Sequence, residues 1–172
     1  EAGRIEYGTG FPTRIAVSPD ARWVATGGGD AVPVAVNARR LSGHLRIFDW
    51  KEKKFVTEPY TLATDYVRAV EFSPDSRSLY SGSFSTPPAG GEYLAAIRAF
   101  RVGSVRQVWL PLWETTLGNG NPHELSISPN GKDILVPDNG NLQIVDANDG
   151  AVRGAKLTFR FYPEDRDEEK LK

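Results

Sequence analysis

The chain has 172 residues, of which 40% are hydrophobic and 25% charged, and its 21 basic and 22 acidic side chains leave a formal net charge of -1. This composition supports a globular core, and the balanced charge argues against a broad nucleic-acid or anionic-membrane footprint, which needs clustered basic residues. Cysteine is absent, which excludes disulfides, thiolate metal sites and cysteine nucleophiles. No apolar stretch approaches the ~18 residues of a membrane span, so we expect neither a transmembrane helix nor a signal peptide.

The first residues and the composition both indicate strands joined by turns. Glycine and proline number 17 and 12, more than an average chain of this length contains, so we expect many turns. Residues 3–7 predict the outer strand of a preceding unit. Methionine is absent and the chain begins at Glu1, so we expect a chain that is processed or cut from a longer one.

The first complete unit begins with two strands joined by a Ser-Pro-Asp turn at residues 18–20. Ile15 and Val17 precede the turn and Val24 follows it, and apolar residues at spacing two are typical of strands with alternating faces. Proline presets its backbone dihedral and aspartate bonds local backbone groups, which suits a tight turn. The third and fourth strands of the unit are predicted at residues 45–49 and 54–57.

The same pattern recurs twice along the chain. The turn serines Ser18, Ser73 and Ser128 are separated by 55 positions at each step. Third and fourth strands are predicted again at residues 97–101, 106–110, 142–146 and 151–157. The matching apolar columns are Ile15/Val70/Leu125, Val17/Phe72/Ile127, Val24/Leu79/Ile134 and Phe48/Phe100/Val145. A fixed period indicates stacked copies of one supersecondary unit, and four short antiparallel strands in each copy predict a propeller blade.

These motifs resemble a known repeat family. Two apolar residues, a Ser-Pro-Asp turn, a second strand and a third strand that ends in Phe48-Asp49 or Val145-Asp146 are similar to WD40 and related YVTN-type β-propeller repeats. The stretch at residues 121–131 is the copy most similar to the bacterial YVTN-type form. The resemblance covers residues 13–155 and implies an all-β fold of blades, each a four-stranded antiparallel sheet.

The chain also departs from the WD40 pattern. Phe48, Phe100 and Val145 stand where WD40 blades often carry tryptophan. The Gly43-His44 pair lies at the start of a third strand, whereas WD40 repeats often place Gly-His ahead of the first strand. The resemblance therefore implies a divergent, bacterial propeller rather than a regulatory eukaryotic WD40 protein.

The resemblance divides the chain into about three blades with partial flanking strands. The predicted units are an outer strand of a preceding blade at 1–10, blades at 11–62, 63–112 and 113–156, and the start of a further strand with a charged tail at 157–172. Closing a ring takes at least about four blades. We therefore expect a larger or multi-chain propeller, completed by further sequence or by another chain, and exposed flanks that associate without their neighbours.

The copies differ most between their second and third strands. The first and second blades carry insertions at residues 28–44 and 84–94, whereas the third makes the same connection with residues 138–141. In the family these connections share one face of the disc with the connections between blades, and binding sites are usually built on loops of a rigid scaffold. We predict that the insertions and residues 109–121 form a raised binding face. The alternative is that they are ornamental or cover a neighbouring blade.

Five residues are candidates for contact with a partner: Arg39, Arg40, Tyr93, Trp113 and His123. Aromatic side chains beside the connections anchor protein partners, and the two arginines would bind an acidic group. His123 shares a column with Thr13 and Arg68, close to the expected axial channel. The alternatives are that the aromatic rings fill gaps between blades and that the arginines and the histidine simply face solvent.

The sequence predicts no catalytic residues, no metal site and no cofactor. His44 has no carboxylate or histidine partner at metal-ligand spacing. The glycine clusters at 27–29 and 118–120 lack the strand-then-helix context in which glycine loops bind phosphate. The recurring serines mark turns rather than nucleophiles.

Two functions remain open. We favour a non-catalytic β-propeller segment that acts as a protein-interaction platform or as a subunit of a larger assembly. Its partner would be another protein or a completing propeller chain, with no nucleic acid and no membrane span. The alternative is a fragment of a periplasmic propeller enzyme with its active site at the central channel. A periplasmic or extracellular location is favoured over a cytoplasmic one.

Overall fold

The computed structural model describes residues 11–35, 38–56, 60–62, 65–85, 94–103, 110–119, 122–138 and 141–158, and at 31–35, 38–41, 62, 65, 119, 138 and 154–158 it describes the backbone alone. These residues form thirteen β-strands and no helix, which confirms the predicted all-β fold. The described residues accordingly contain no helix that is long and apolar enough to cross a membrane.

The strands form three antiparallel sheets that follow one another along the chain. The first sheet has the order β1 (Phe11–Val17), β2 (Trp23–Ala35), β3 (Ala38–Asp49) and β4 (Lys54–Phe55), and β5 (Tyr60–Leu62) also pairs with β3. The second has the order β6 (Asp65–Phe72), β7 (Ser78–Ser85), β8 (Leu94–Arg101) and β9 (Trp113–Asn119). The third has the order β10 (Ser126–Ile127), β11 (Asp133–Asp138), β12 (Asn141–Asp146) and β13 (Val152–Thr158). Consecutive sheets with strands in chain order are the arrangement of propeller blades.

The strand register repeats in the three sheets, as the matching columns predict. The cross-strand pairs that flank the turns are Val17 with Val24, Phe72 with Leu79, and Ile127 with Ile134. The second member of each pair also lies opposite a third-strand residue, namely Phe48, Phe100 and Val145. Three apolar side chains therefore lie side by side on one face of every sheet, where directly opposite residues pack together.

The Ser-Pro-Asp turn is held by side-chain hydrogen bonds. Ser18 Oγ donates to Asp20 Oδ1 at 2.5 Å and accepts from the Trp23 amide at 2.8 Å, while Asp20 Oδ1 also accepts from the Arg22 amide at 3.0 Å. The Ser73 and Ser128 turns repeat the serine-to-Asx bond at 2.6 and 2.7 Å. The turn is a structural element, because the same bonds recur in each copy.

Two apolar layers join the three sheets. Between the first and second sheets lie Trp23, Ala25, Leu45, Ile47, Val67, Val70, Phe72, Leu79 and Phe100. Between the second and third lie Ala69, Tyr80, Ile97, Ala99, Leu125, Ile134, Val136 and Val145. Gly27 lets the first sheet approach the second closely, because a Cβ atom at Gly27 would lie 2.5 Å from Val67 Cγ1. The middle sheet is thus covered on both faces, since its side chains alternate between the two layers.

Two elements differ from the sequence-based prediction. The fourth strand of the second sheet is β9 at Trp113–Asn119, whereas the sequence predicts it at residues 106–110, of which only Leu110 lies within the described residues. The β9 side chains alternate between half-buried and exposed, which is the pattern of a one-sided edge strand. The insertion at 28–44 is not a raised loop: β2 and β3 stay paired out to Ala35 and Ala38, so it extends the hairpin and continues its backbone hydrogen bonds.

Candidate functional site

One face of the first sheet, which we call the open face, consists of Ile15, Val17, Val24, Phe48 and Phe55. Ile15 and Val17 expose 69% and 59% of their surface. They point away from Ala16, which packs against the buried layer between the first and second sheets, because successive strand residues alternate between faces. The open face is therefore the side of the first sheet that is turned away from the second sheet.

The open face contains a groove of about 370 Å³. The residues that line it are Pro12, Thr13, Arg14, Ile15, Val24, Thr26, Phe48 and Phe55. The Phe48 and Phe55 rings meet edge to face with centroids 5.3 Å apart, a favourable geometry for aromatic pairs. The groove thus has an aromatic wall on β3 and β4 and an aliphatic wall on β1 and β2.

An aromatic and cationic rim borders the open face next to the β3–β4 turn. Trp50 is 42% exposed, and its ring centroid lies 6.2 Å from that of Phe48. Lys53 Nζ lies 3.5 Å from the Trp50 ring centroid, within the range of a cation–π contact. Exposed tryptophan beside an apolar patch is common at protein interfaces.

The five sequence-predicted contact residues come from separate parts of the chain, and the structure describes four of them. Arg39 and Arg40 lie on β3 opposite Pro33 and Val32, in a part of the hairpin where the structure describes the backbone alone. Tyr93 lies outside the described residues. Trp113 begins β9, the last strand of the second sheet, whereas His123 lies three residues before β10, the first strand of the third.

Trp113 lies in the interface between the second and third sheets. Its Nε1 donates to the Ala147 carbonyl at 3.2 Å, and its ring centroid is 6.0 Å from that of Tyr80. It also packs on Gly150, where a Cβ atom would lie 2.6 Å from the indole Cε3. These contacts correspond to the gap-filling alternative for the aromatic residues, and a role of Trp113 in binding a partner stays a prediction.

His123 lies in the segment that leads into β10, the first strand of the third sheet. It is exposed, and its carbonyl accepts hydrogen bonds from Arg14 Nε at 3.3 Å and Nη2 at 3.2 Å. The first sheet is thereby joined to this segment. Glu71 lies nearby on β6, where burial, with a smaller contribution from Glu124, raises the pKa of its carboxyl group.

The described residues contain no group of three or more His, Asp or Glu side chains that could hold a metal ion. His44 is buried on β3, at 7% exposure. Its burial, with a smaller contribution from Arg46, lowers the pKa of the imidazole. A neutral imidazole in this position is consistent with a structural histidine.

Sequence reasoning expected exposed flanks but named neither the open face nor Arg68 as a site. The signal for the open face is the column pattern itself, because the first copy carries the apolar residues that the later copies bury against a preceding sheet. The signal for Arg68 is its column, shared with Thr13 and His123, at the first strand of each copy.

Comparisons with known proteins agree with this architecture. The family model "WD domain, G-beta repeat" matches residues 56–85. Hydrazine synthase of Kuenenia stuttgartiensis is similar with a TM-score of 0.58 and 14% identity, over 80% of this chain and 40% of that one. A proposed 6-phosphogluconolactonase of Bacteroides fragilis is similar with a TM-score of 0.56 and 18% identity, over 86% of this chain and 39% of that one. No curated protein matches the sequence. The chain spans about two fifths of each of these two structures, and these likenesses establish the fold alone.

Proposed function

We propose that this chain, which carries a WD40-type repeat and folds as β-propeller blades, is a non-catalytic propeller segment that acts as a protein-interaction platform. The open face of the first sheet is the surface on which a further β-sheet packs. That sheet is a completing propeller blade, supplied by the same protein or by another chain.

The observation that carries this proposal is the different burial of matched columns. Val70, Phe72 and Leu79 of the second sheet are 7%, 3% and 0% exposed, because the first sheet covers them. Their counterparts in the first sheet are Ile15, Val17 and Val24, which form the open face. The open face therefore has the composition of a sheet-to-sheet interface and lacks only the covering sheet within the described residues.

The covering side of the existing interface indicates which surface fits the open face. The first sheet covers the second with Trp23, Ala25, Leu45 and Ile47, which combine one large ring with small and aliphatic side chains. A sheet with such a face would cover the groove between Ile15 and Phe48. Full burial of a large aliphatic side chain contributes about 1.5–3 kcal/mol, so covering Ile15 and Val17 is a substantial driving force.

Self-association tests the proposal, because isolated copies cover each other's open faces when no partner is present. We expect sedimentation to show that the chain associates as its concentration rises. The double variant Ile15→Lys/Val17→Lys should stay monomeric, because lysine on an exposed strand opposes sheet association. The matched control is Leu110→Lys/Leu112→Lys, which changes two leucines that are 72% and 54% exposed outside the open face.

The control variant should associate like the unaltered chain. A monomer at all concentrations, or equal association of both double variants, would contradict the proposal.

The alternative of a periplasmic propeller enzyme with its active site at the central channel stays a prediction. The periplasmic or extracellular location stays a prediction too, as do the contact roles of Arg39, Arg40, Tyr93, Trp113 and His123.

A further inference from the structure

Arg68 occupies an irregular position on the first strand of the second sheet. The register between β6 and β7 shifts between Val67 and Ala69, so Arg68 is the extra residue of a β-bulge. The first sheet has the same register shift between Pro12 and Arg14, so the bulge belongs to the repeat, and it re-aims the side chain at this position. The arginine thus leaves the regular alternation in which Val67 and Ala69 enter the two apolar layers.

Two aromatic rings hold the Arg68 guanidinium. Its Cζ lies 5.4 Å from the Tyr66 ring centroid and 5.1 Å from the Phe84 ring centroid. The two rings are themselves 5.9 Å apart and tilted by 37°. Tyr66 is fixed in turn by Gly29 of the first sheet, where a Cβ atom would lie 2.6 Å from Tyr66 Cδ2. The position of the guanidinium is therefore set by residues from two sheets.

Arg68 has no acceptor for its donors among the described residues. Its Nε is buried without a hydrogen-bond partner. Arg98 of the same sheet shows the contrast: its guanidinium bonds Glu114 at 2.8 and 3.2 Å and Ser83 at 2.6 Å. Arg68 as a whole is half-buried, but a buried N–H donor without an acceptor is costly, and such a cost is retained where a site needs the group.

We propose that Arg68 is the anchor of a binding site for a carboxylate group. A guanidinium fork is planar and matches the two oxygens of a carboxylate, and stacking on Tyr66 and Phe84 holds the fork in place before the ligand arrives. One guanidinium balances the single charge of a carboxylate, whereas a phosphate dianion would keep half of its charge. The site is separate from the open face, and it does not depend on the proposed function.

The carboxylate belongs either to an acidic side chain of a partner polypeptide or to a small free acid. Thermal unfolding at constant ionic strength separates these sources with two singly charged probes, butyrate and an acetylated, amidated Gly-Glu-Gly peptide. A ligand that binds only the folded chain raises the unfolding midpoint in a saturable way. A rise at lower concentration of the peptide identifies a polypeptide source, and a rise at lower concentration of butyrate identifies a free acid.

Three variants make this test specific. Arg68→Met should abolish the rise and leave the unfolding midpoint without ligand unchanged or higher, because it keeps the contact with the rings and removes an unpaired charge. Arg68→Lys should weaken the rise several-fold, since it keeps the charge but not the fork. Arg77→Met, at an exposed position in the turn before β7, should respond to both probes like the unaltered chain.

Several results would overturn the proposal. They are the absence of any rise in the unaltered chain, an equal rise in Arg68→Met, and a larger rise with inorganic phosphate than with either carboxylate probe. A lower midpoint of Arg68→Met without ligand would also overturn it, because that result would assign Arg68 to the support of the fold.

Discussion

The first and second sheets present the same apolar columns in two different environments. In the second sheet Val70 and Phe72 are 7% and 3% exposed, whereas Ile15 and Val17 at the same positions of the first sheet are 69% and 59% exposed. The strand pairing around them is the same in both sheets. Burial in a repeat fold thus depends on the neighbouring repeat as much as on the residue, because each unit contacts only its neighbours.

The largest expected effect comes from a charge placed in one column of both sheets. Leu79→Asp should lower the free energy of unfolding by about 3–5 kcal/mol, because it buries an unpaired carboxylate between two sheets. Val24→Asp should cost less than about 1 kcal/mol, since its carboxylate reaches water in the groove of the open face. Urea unfolding measures both values. Equal losses would show that the open face is covered in the isolated chain.

Ser78→Asp is the control for the Leu79 variant. Ser78 lies one position earlier, on the opposite face of β7, and its counterpart in the third copy is Asp133. The change should alter the free energy of unfolding by no more than about 0.5 kcal/mol. Damage equal to that of Leu79→Asp would contradict the register.

A smaller effect is expected from the Arg98–Glu114 ion pair of the second sheet, in which the arginine is buried and the glutamate is exposed. Arg98 has a side chain that is 8% exposed, and it binds Glu114, so Glu114→Gln should cost about 1–3 kcal/mol by leaving a buried charge short of its partner. The comparison variant is Asp133→Asn, which removes the ion pair with Arg153 at the surface and should cost at most about 1 kcal/mol. The denaturant midpoints of the two variants show which ion pair contributes more to stability. The reverse ranking would show that Arg98 does not need its carboxylate.

The smallest effect is the pH dependence of stability that comes from Glu71 on β6, an edge strand of the second sheet. Burial and Glu124 raise the pKa of Glu71 above its ordinary value of 4.5, so the folded chain binds this proton more tightly than the unfolded chain. Its contribution to stability is therefore complete below pH 4.5 and is lost as the pH rises through the folded pKa. Glu71→Gln should unfold at a higher temperature than the unaltered chain at neutral pH, and the difference should vanish below pH 4.5.

Asp75, in the turn of the second sheet, should show the opposite dependence of stability on pH. The hydrogen bond from Ser73 lowers the pKa of Asp75 from its ordinary value of 3.8. This bond therefore stabilises the fold above pH 3.8, and its contribution is lost as the pH falls through the lower, folded pKa. Asp75→Asn should lower the unfolding midpoint above pH 3.8 and lose that difference in stronger acid. A difference for Glu71→Gln that grows towards low pH would contradict the assigned sign.

The sequence predicts the repeated part of the fold well because each repeated residue has one physical task. Ser18 and Asp20 recur since their side chains close the turn, and Val24 recurs since it pairs with Phe48. The strand β9 is harder to predict, because an edge strand without repeated columns is specified by its pairing with β8. Arg68 could be placed in a column, but the bulge and the two rings around it depend on contacts between distant residues.

The most direct test of the open face uses the absence of cysteine from the chain. Ile15→Cys then carries the only thiol, and its rate of reaction with excess maleimide reports how accessible the open face is. Leu110→Cys, at a position that is 72% exposed outside the open face, is the matched control. We predict that labelling of Ile15→Cys slows as the protein concentration rises, while labelling of Leu110→Cys keeps its rate. Equal rates for both variants at every concentration would contradict the assignment of the open face as a packing surface for another sheet.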